Sequence, residues 1–346
     1  MKNRKKIAIH HKAGDDSYSD KWIEYCENHN VEYRLVNCYD SDIVEQLKGF
    51  SALMWHWQHT DYKAQLFARQ LILSLEKGGL KVFPSVDSSW HFDDKLGQKY
   101  LLESIDAPMV KSYAFYDKES ASKWLNETTF PKVFKLRNGA GAHNVQLIKS
   151  KKEALRYVNR VFSRGFKSNH RGAVLDEKLW HFKRDKSLKS FLNIGKGLVR
   201  FVFPHEIRNL LPIEKNYLYA QDFIPNCDHD IRVFVIGKRA VTKKRMVREG
   251  DFRASGSGKM TWDLDQISSD CVKMAFEVTE KLGAQSIAFD FVLDGDDYKI
   301  VEISYAASPR GFPECPGYWN RDLSWTKAPL RVEYFMMEDF LDTLTE

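Results

Sequence analysis

A chain of 346 residues is long enough for two or three domains of ordinary size, each with its own core. Hydrophobic residues make up 43% and charged residues 29%, a globular balance, and no stretch approaches the roughly 18 consecutive apolar residues of a membrane span. The formal charge of +6 is local: residues 163–215 carry 12 Lys and Arg against 5 Asp and Glu, which leaves the rest at −1. A patch of that kind suits an anionic ligand or a membrane-associated acceptor as readily as a polynucleotide.

The five cysteines (Cys26, Cys38, Cys227, Cys271 and Cys315) are scattered, odd in number and without a CxxC pair. That argues against a disulfide framework or a zinc site and for a reducing cytoplasm. The basic start is followed by too short an apolar run for a signal peptide, so Ile7 to Ile9 reads as a first strand.

Residues 5–92 alternate strand and helix signals. Strands are expected at Lys6 to His10, Val31 to Val36, Ala52 to Trp57 and Lys81 to Pro84. Helices are expected at Tyr18 to Asn28, Ile43 to Leu47 and Tyr62 to Lys77, the last with Leu66, Leu71 and Leu75 as its apolar residues and Gly78-Gly79 as its stop. Such alternation implies a small parallel sheet with helices on its faces, whose ligands sit at the carboxyl ends of the strands. His10-His11 and Trp55-His56-Trp57-Gln58-His59 fall at those ends and are expected to form a substrate wall, with core packing as the plain alternative.

Further on, Asp93-Asp94 can cap a helix in which Leu96, Tyr100, Leu101 and Ile105 make an apolar stripe. Lys95 sits in its first turn, where the dipole disfavours a cation, so it points to solvent or engages an anion. FPKVFKLRNGAGAHNVQLI then reads as strand, loop, strand, with Lys135 ending the first strand and Gly139 and Gly141 in the loop. Glycines there let backbone N–H groups close around phosphate oxygens, although a plain hairpin has the same outline.

From Tyr217 onward, Leu218 to Ile224 and Asp230 to Ile236 are strand-like. Asp230 and Arg232 alternate with apolar residues and so share one face. A helix over Ile267 to Leu282 leads into IAFDFVLDGDDYKIVEIS, two strands joined by an acidic turn with Gly295. Asp290 and Glu302 are carboxylates inside these apolar strands, costly there unless paired or bound to a cation. Held in register, they can converge on one hard cation such as Mg²⁺; the alternative is an ordinary hairpin with its acids in water.

The order of these parts resembles the ATP-grasp superfamily over about residues 93–308. The residues that carry the resemblance are the two lysines, the glycine hairpin, QDFI, DIRV, EGDFRAS, FD and VEIS. It looks most like the branch that holds the ribosomal-protein glutamate ligases and, more distantly, D-alanine–D-alanine ligase. The resemblance implies an α/β (α+β) fold: an N-terminal parallel domain (1–92), a small subdomain (93–216) with a basic insertion at 163–215, and a C-terminal subdomain (217–346), the last two clamping ATP between them.

Carried over residue by residue, Lys95 and Lys135 match lysines that contact ATP phosphates, and Gly139 and Gly141 lie in the loop over the triphosphate. Gln221, Asp222, Phe223 and Ile224 match the linker at the adenine edge, and Asp230 a ribose-hydroxyl acceptor. Arg245 and Arg253 match residues facing the γ-phosphate and the acyl phosphate, and Arg232 joins them as a candidate catalytic residue. Asp290 and Glu302 match Mg²⁺ ligands. Ser304 stands where the family usually has Asn, which puts a second metal in doubt, and Ser255 likewise replaces an Asn.

The activity implied is an ATP- and Mg²⁺-dependent carboxylate–amine ligase working through an acyl phosphate and releasing ADP and phosphate. Its partners would be a small carboxylate and an amine, without nucleic acid or a membrane span, and a homodimer is compatible with it. The basic insertion reads either as a solvated helix and loop or as a site for an extended anionic acceptor such as a phosphorylated or nucleotide-linked sugar. The aromatic tail (Tyr305, Tyr318, Trp319 and Trp325), with core packing as its plain alternative, resembles ATP-grasp proteins of surface polysaccharide assembly, which implies an amino acid or a sugar-linked carboxylate as acceptor. A phosphotransferase acting on a polyanionic small molecule is the main rival, and a nucleic-acid-binding module with structural ATP a further one.

Overall fold

A computed structural model of the chain describes residues 6–139, 144–167, 212–248, 250–254, 258–312 and 314–344. The chain divides into two compact units, one of Met1–Phe92, Gly97–Met109 and Ile224–Glu346, the other of Asp93–Leu96 and Val110–Phe223. Expected features at Gly141, at Ser255 and over most of the basic insertion lie outside the described residues.

The first unit begins with β1 (Lys6–His10), α1 (Ser19–His29), β2 (Glu32–Val36), α2 (Ile43–Gln46), β3 (Ala52–Met54), α3 (Tyr62–Lys77), β4 (Lys81–Phe83) and α4 (Val86–Ser89). The strands form the expected parallel sheet in the order β2-β1-β3-β4. Ile7 and Ile9 pack on the α1 side with Trp22 and Cys26, while Ala8 and Leu53 pack on the α3 side with Ala68 and Ile72. Burial on both faces explains why these strands read as continuous apolar runs.

Helix α3 starts where Asp61 accepts the Ala64 N–H, but its buried stripe is Ala64, Ala68, Ile72 and Leu75. Leu66 is 79% exposed, because two residues, about 200° of helical turn, separate it from Ala64 and put it on the opposite face. The expected substrate wall is corrected at His10, Trp55, His56 and Trp57. Trp55 and Trp57 are buried, the His56 ring stacks on Tyr18 at 3.9 Å, and His10 accepts the Cys38 N–H at 3.0 Å. These rings serve packing.

The second unit opens at the start of α5 (Lys95–Ser104), most of which belongs to the first unit. In that helix Leu102, rather than the exposed Tyr100, reaches the core. There follow β5 (Ser112–Phe115), α6 (Lys118–Glu127), β6 (Lys132–Lys135), β7 (Val145–Ile148), α7 (Lys151–Val161), β8 (Phe166–Lys167), β9 (Ile213–Glu214) and β10 (Leu218–Asp222). An antiparallel sheet, β5-β10-β6-β7, carries α6 and α7 on the face of Phe134, Ile148, Leu218 and Ala220.

The first unit resumes with β11 (His229–Ile236), β12 (Arg239–Met246), β13 (Met260–Thr261), α8 (Ser269–Leu282), β14 (Ser286–Asp294), β15 (Asp297–Ser304), β16 (Gly317–Asn320), β17 (Trp325–Lys327) and α9 (Val332–Thr343). Their sheet runs β15-β14-β11-β12-β16-β17, with β13 beside β12. Helix α8 is capped by Ser268 and stopped by Gly283 in the left-handed conformation. It covers one sheet face through Cys271, Val272 and Ala275 against Val233, Phe289 and Ile303. Turn residue Gly295 has φ +65, at the position where a two-residue II′ hairpin requires it. Tyr305, fully buried, accepts the Trp57 N–H at 3.0 Å and donates to the Trp57 carbonyl, tying the residue after β15 to the segment that follows β3.

Candidate active site

On the face of the large sheet away from α8, charged residues line up across four strands. Directly opposed residues on antiparallel strands point to the same side. Glu302 on β15 opposes Asp290 on β14, Asp290 opposes Arg232 on β11, and Arg232 opposes Lys243 on β12. One step along, Asp230 opposes Arg245. Farther along the same face β11 turns apolar at Phe234 and Ile236, which enter the core shared with β1 and β3.

The ion pairs in this row are close. Arg232 donates from Nε to Asp290 Oδ1 at 2.6 Å and from a terminal nitrogen to Oδ2 at 2.7 Å. Arg245 donates twice to Asp230, both bonds at 2.6 Å, and reaches Asp290 Oδ1 at 2.9 Å. Burial alone would raise the Asp290 carboxyl, but Arg232 and Arg245 overcome it and hold the group well below the usual carboxylate range. Burial raises Asp230, which Arg245 draws back only in part. Asp230, expected at a ribose hydroxyl, thus gives both carboxylate oxygens to Arg245. Arg253 pairs with Asp251 in its own loop, 2.6 Å at the shortest.

Glu302 owes its orientation to a bulge. Asp290 opposes Glu302 while the next residue, Phe291, opposes Ile300, so Val301 is an extra residue in β15. The outer edge of the strand is covered where the Ile300 N–H donates to the Pro108 carbonyl at 2.8 Å. Two residues past Glu302, Ser304 opposes Ala288 and lies on the charged face, with its hydroxyl donating to the Ala306 carbonyl at 2.6 Å.

The donor chemistry here fits a hard divalent cation. A carboxylate has about four lone-pair sites, and the arginines use three of those on Asp290, leaving one on Oδ2. Glu302 and the Ser304 hydroxyl add further oxygens on the same face. Among the described residues no group of three or more His, Cys, Asp or Glu side chains is arranged to hold a metal, so a third ligand would be a hydroxyl or water.

The second unit brings a different set together. The buried Lys95 donates its backbone N–H to the Arg137 carbonyl at 3.0 Å and its ammonium to the Gly139 carbonyl at 2.7 Å. Asp93 accepts the Gly139 N–H at 2.8 Å, and Asp94 pairs with Arg137. The start of α5 and the glycine loop are therefore one hydrogen-bonded body. Gly139 has φ +123, a conformation that favours glycine. Lys135 and Gln221 share the sheet face away from α6 and α7, both buried, and Gln221 donates to Ser112 at 3.0 Å. Asp222 turns to the other face and pairs with Lys132 at 2.6 Å. Phe223 and Ile224 lie just beyond β10, outside regular structure.

Sequence reasoning missed Lys243. The signal was there: it sits two residues before Arg245 in a strand, hence on the same face, but a KKR run reads as a solvated charge cluster.

A RimK-like ATP-grasp domain matches residues 189–312. The whole chain is also similar to the RimK domain protein ATP-grasp of Sphaerobacter thermophilus, with 15% identity and a TM-score of 0.56 over 97% of this chain and 98% of that one. The chain carries an ATP-grasp fold. D-alanine–D-alanine ligase of Bacillus anthracis complexed with ATP is a second ATP-grasp neighbour, at 10% identity and a TM-score of 0.57 over 99% and 98% of the two chains. A third is the biotin carboxylase domain of the Hydrogenobacter thermophilus 2-oxoglutarate carboxylase with MgADP, at 11% and 0.57 over 97% and 69%. No curated protein matches the sequence. These ATP-grasp relatives agree with the expected class, an ATP-dependent ligase, and with ATP and Mg²⁺ as its cofactors. No helix among the described residues is long and apolar enough to cross a membrane.

Proposed function

We propose that the protein is an ATP-dependent carboxylate–amine ligase, and the observation that carries this reading is the row Glu302, Asp290, Arg232 on one sheet face. In an ATP-grasp fold, acids opposed on neighbouring strands and backed by arginines are suited to phosphoryl transfer. A carboxylate is a poor electrophile. Moving the γ-phosphoryl of ATP onto it gives an acyl phosphate and ADP. An amine then attacks the acyl carbon, the C–O bond breaks, and phosphate departs with the electron pair while the amine loses a proton. No enzyme nucleophile is needed, so catalysis is positioning and charge neutralisation.

In this reading Lys95, Lys135 and the Gly139–Gly141 loop hold phosphates, and the backbone from Gln221 to Ile224 meets adenine. Asp290, Glu302 and Ser304 hold magnesium, which when bound neutralises phosphate charge. Arg232, Arg245 and Arg253 face the transferred group, and Asp230 steadies Arg245. Residues 1–92, 93–216 and 217–346 are the functional divisions. All five cysteines are unpaired, which fits a cytoplasmic enzyme.

A small amine such as an amino acid suits the acceptor role better than a surface-polysaccharide sugar, since Tyr305 is buried and the Trp319 indole donates to Thr242 at 3.1 Å. A panel of carboxylate–amine pairs, assayed for ADP and phosphate with Glu302→Ala as blank, tests the reading. A ligase needs both substrates for phosphate release. Turnover on a hydroxyl acceptor alone, without phosphate release, makes the protein a phosphotransferase instead.

A further inference from the structure

The charged face holds three cations and three acids; the arginines take two of the acids, Asp230 and Asp290, and Glu302 stands at the far end of the row from Lys243. Arg245 is bonded to Asp230 and Asp290, and Arg232 to Asp290. Lys243 lies in the same row, opposite Arg232, and is 6% exposed. Its ammonium donates to the Gly311 carbonyl at 2.8 Å and sits 4.6 Å from the centre of the Phe312 ring. No carboxylate pairs with it among the described residues. A buried cation without a counter-charge is costly, so it either loses its proton or waits for an anion.

We propose that Lys243 completes an oxyanion site, in which a phosphoryl oxygen of the nucleotide or of the transferred group supplies the negative charge this side chain lacks. The identity of the anion rests on the ligase reading; the need for one rests on the geometry. The groups that face Lys243 are Arg232 and Asp230 from β11, Arg245 from its own strand, Asp290 from β14 and Cys315 from the segment before β16. Burial first, then the two arginines, lower the lysine to about 7 against the pull of Asp290 and Asp230. An oxyanion beside it reverses that balance. Ligand binding above neutral pH therefore draws a proton onto Lys243.

The test is ¹³C NMR of the full chain labelled at the lysine Cε, titrated from about pH 5 to about pH 9, with Lys243→Arg to assign the resonance. Three additions at equal ionic strength are compared: potassium chloride, inorganic phosphate with magnesium, and Mg-AMPPNP. The expected result is a signal titrating near neutrality in chloride and at least about one pH unit higher with an oxyanion, a tenfold gain in proton affinity. A shift with AMPPNP alone assigns the site to the phosphates of the nucleotide. A shift with inorganic phosphate assigns it to the phosphoryl group after it has left the nucleotide. Identical titrations in all three additions overturn the proposal, as does a signal that titrates only in the ordinary lysine range. If phosphate moves the signal but AMPPNP does not bind, the nucleotide reading falls and the oxyanion site stands.

Discussion

Asp290 and Glu302 stand opposite each other on β14 and β15, yet Ile300 and Ile303, three apart in the same strand, both face the core. Strict alternation cannot achieve that. The extra residue Val301 does, by shifting the phase of the strand between Ile300 and Glu302. Removing the Glu302 charge should therefore affect chemistry far more than folding. Glu302→Gln is expected to lower turnover about 10²- to 10³-fold, with stability within about 0.5 kcal/mol of wild type. Steady-state kinetics and a urea melt on the same preparation check both halves.

Asp290 is expected to behave differently, because two arginines depend on it. Asp290→Asn leaves them facing a neutral amide and should cost about 3–5 kcal/mol. The Asp290 carboxyl is held below its ordinary range, so its contribution to stability is present above about pH 4 and is lost as the pH falls toward the depressed value. The gap in urea midpoint between wild type and variant should then be smaller at about pH 3 than at about pH 7.

Asp339 on α9 has the opposite sign. Burial raises its carboxyl to about 6; Arg239 lies 3.8 Å away, and one carboxylate oxygen lacks a hydrogen bond. A raised acid favours the folded state at low pH, and that advantage fades as the pH rises from about 4 through about 6. Asp339→Asn should remove this slope and leave the variant more stable than wild type at about pH 7.5, read from denaturant midpoints across that range.

Much of the fold was legible because local chemistry agreed with it. Gly295 between β-branched runs marks the β14–β15 hairpin, and Ser268 and Gly283 bracket α8. Other features depend on partners that the sequence does not display. Leu66 resembles core until Ala64 and Ala68 are seen against the sheet. His56 resembles part of a substrate wall until Tyr18 is seen stacked on it. Val301 looks like any strand residue, since a bulge leaves no compositional mark. At the candidate site the acids were visible as misfits in apolar strands. Arg232 and Arg245 were visible too, but their pairing with Asp290 and Asp230, and the leftover Lys243, come from strand register.

The lysines of the second unit give a prediction about binding. Lys95 reaches the Gly139 carbonyl and Lys135 lies buried on the sheet face beside Gln221. Lys95→Met and Lys135→Met should each remove a charged hydrogen bond to phosphate, about 1.5–3 kcal/mol, or roughly ten- to hundredfold in the Kd for Mg-AMPPNP. Fluorescence or calorimetric titration checks this, with AMP, which lacks the outer phosphates, expected to bind all three proteins alike.

The central claim is that a substrate carboxylate is phosphorylated before an amide forms. The direct measurement is transfer of ¹⁸O from a carboxylate-labelled substrate pool to inorganic phosphate during turnover, followed by mass spectrometry. One labelled oxygen per phosphate released, absent with Glu302→Ala, is the expected result. Phosphate that carries oxygen from ATP and water alone would contradict it.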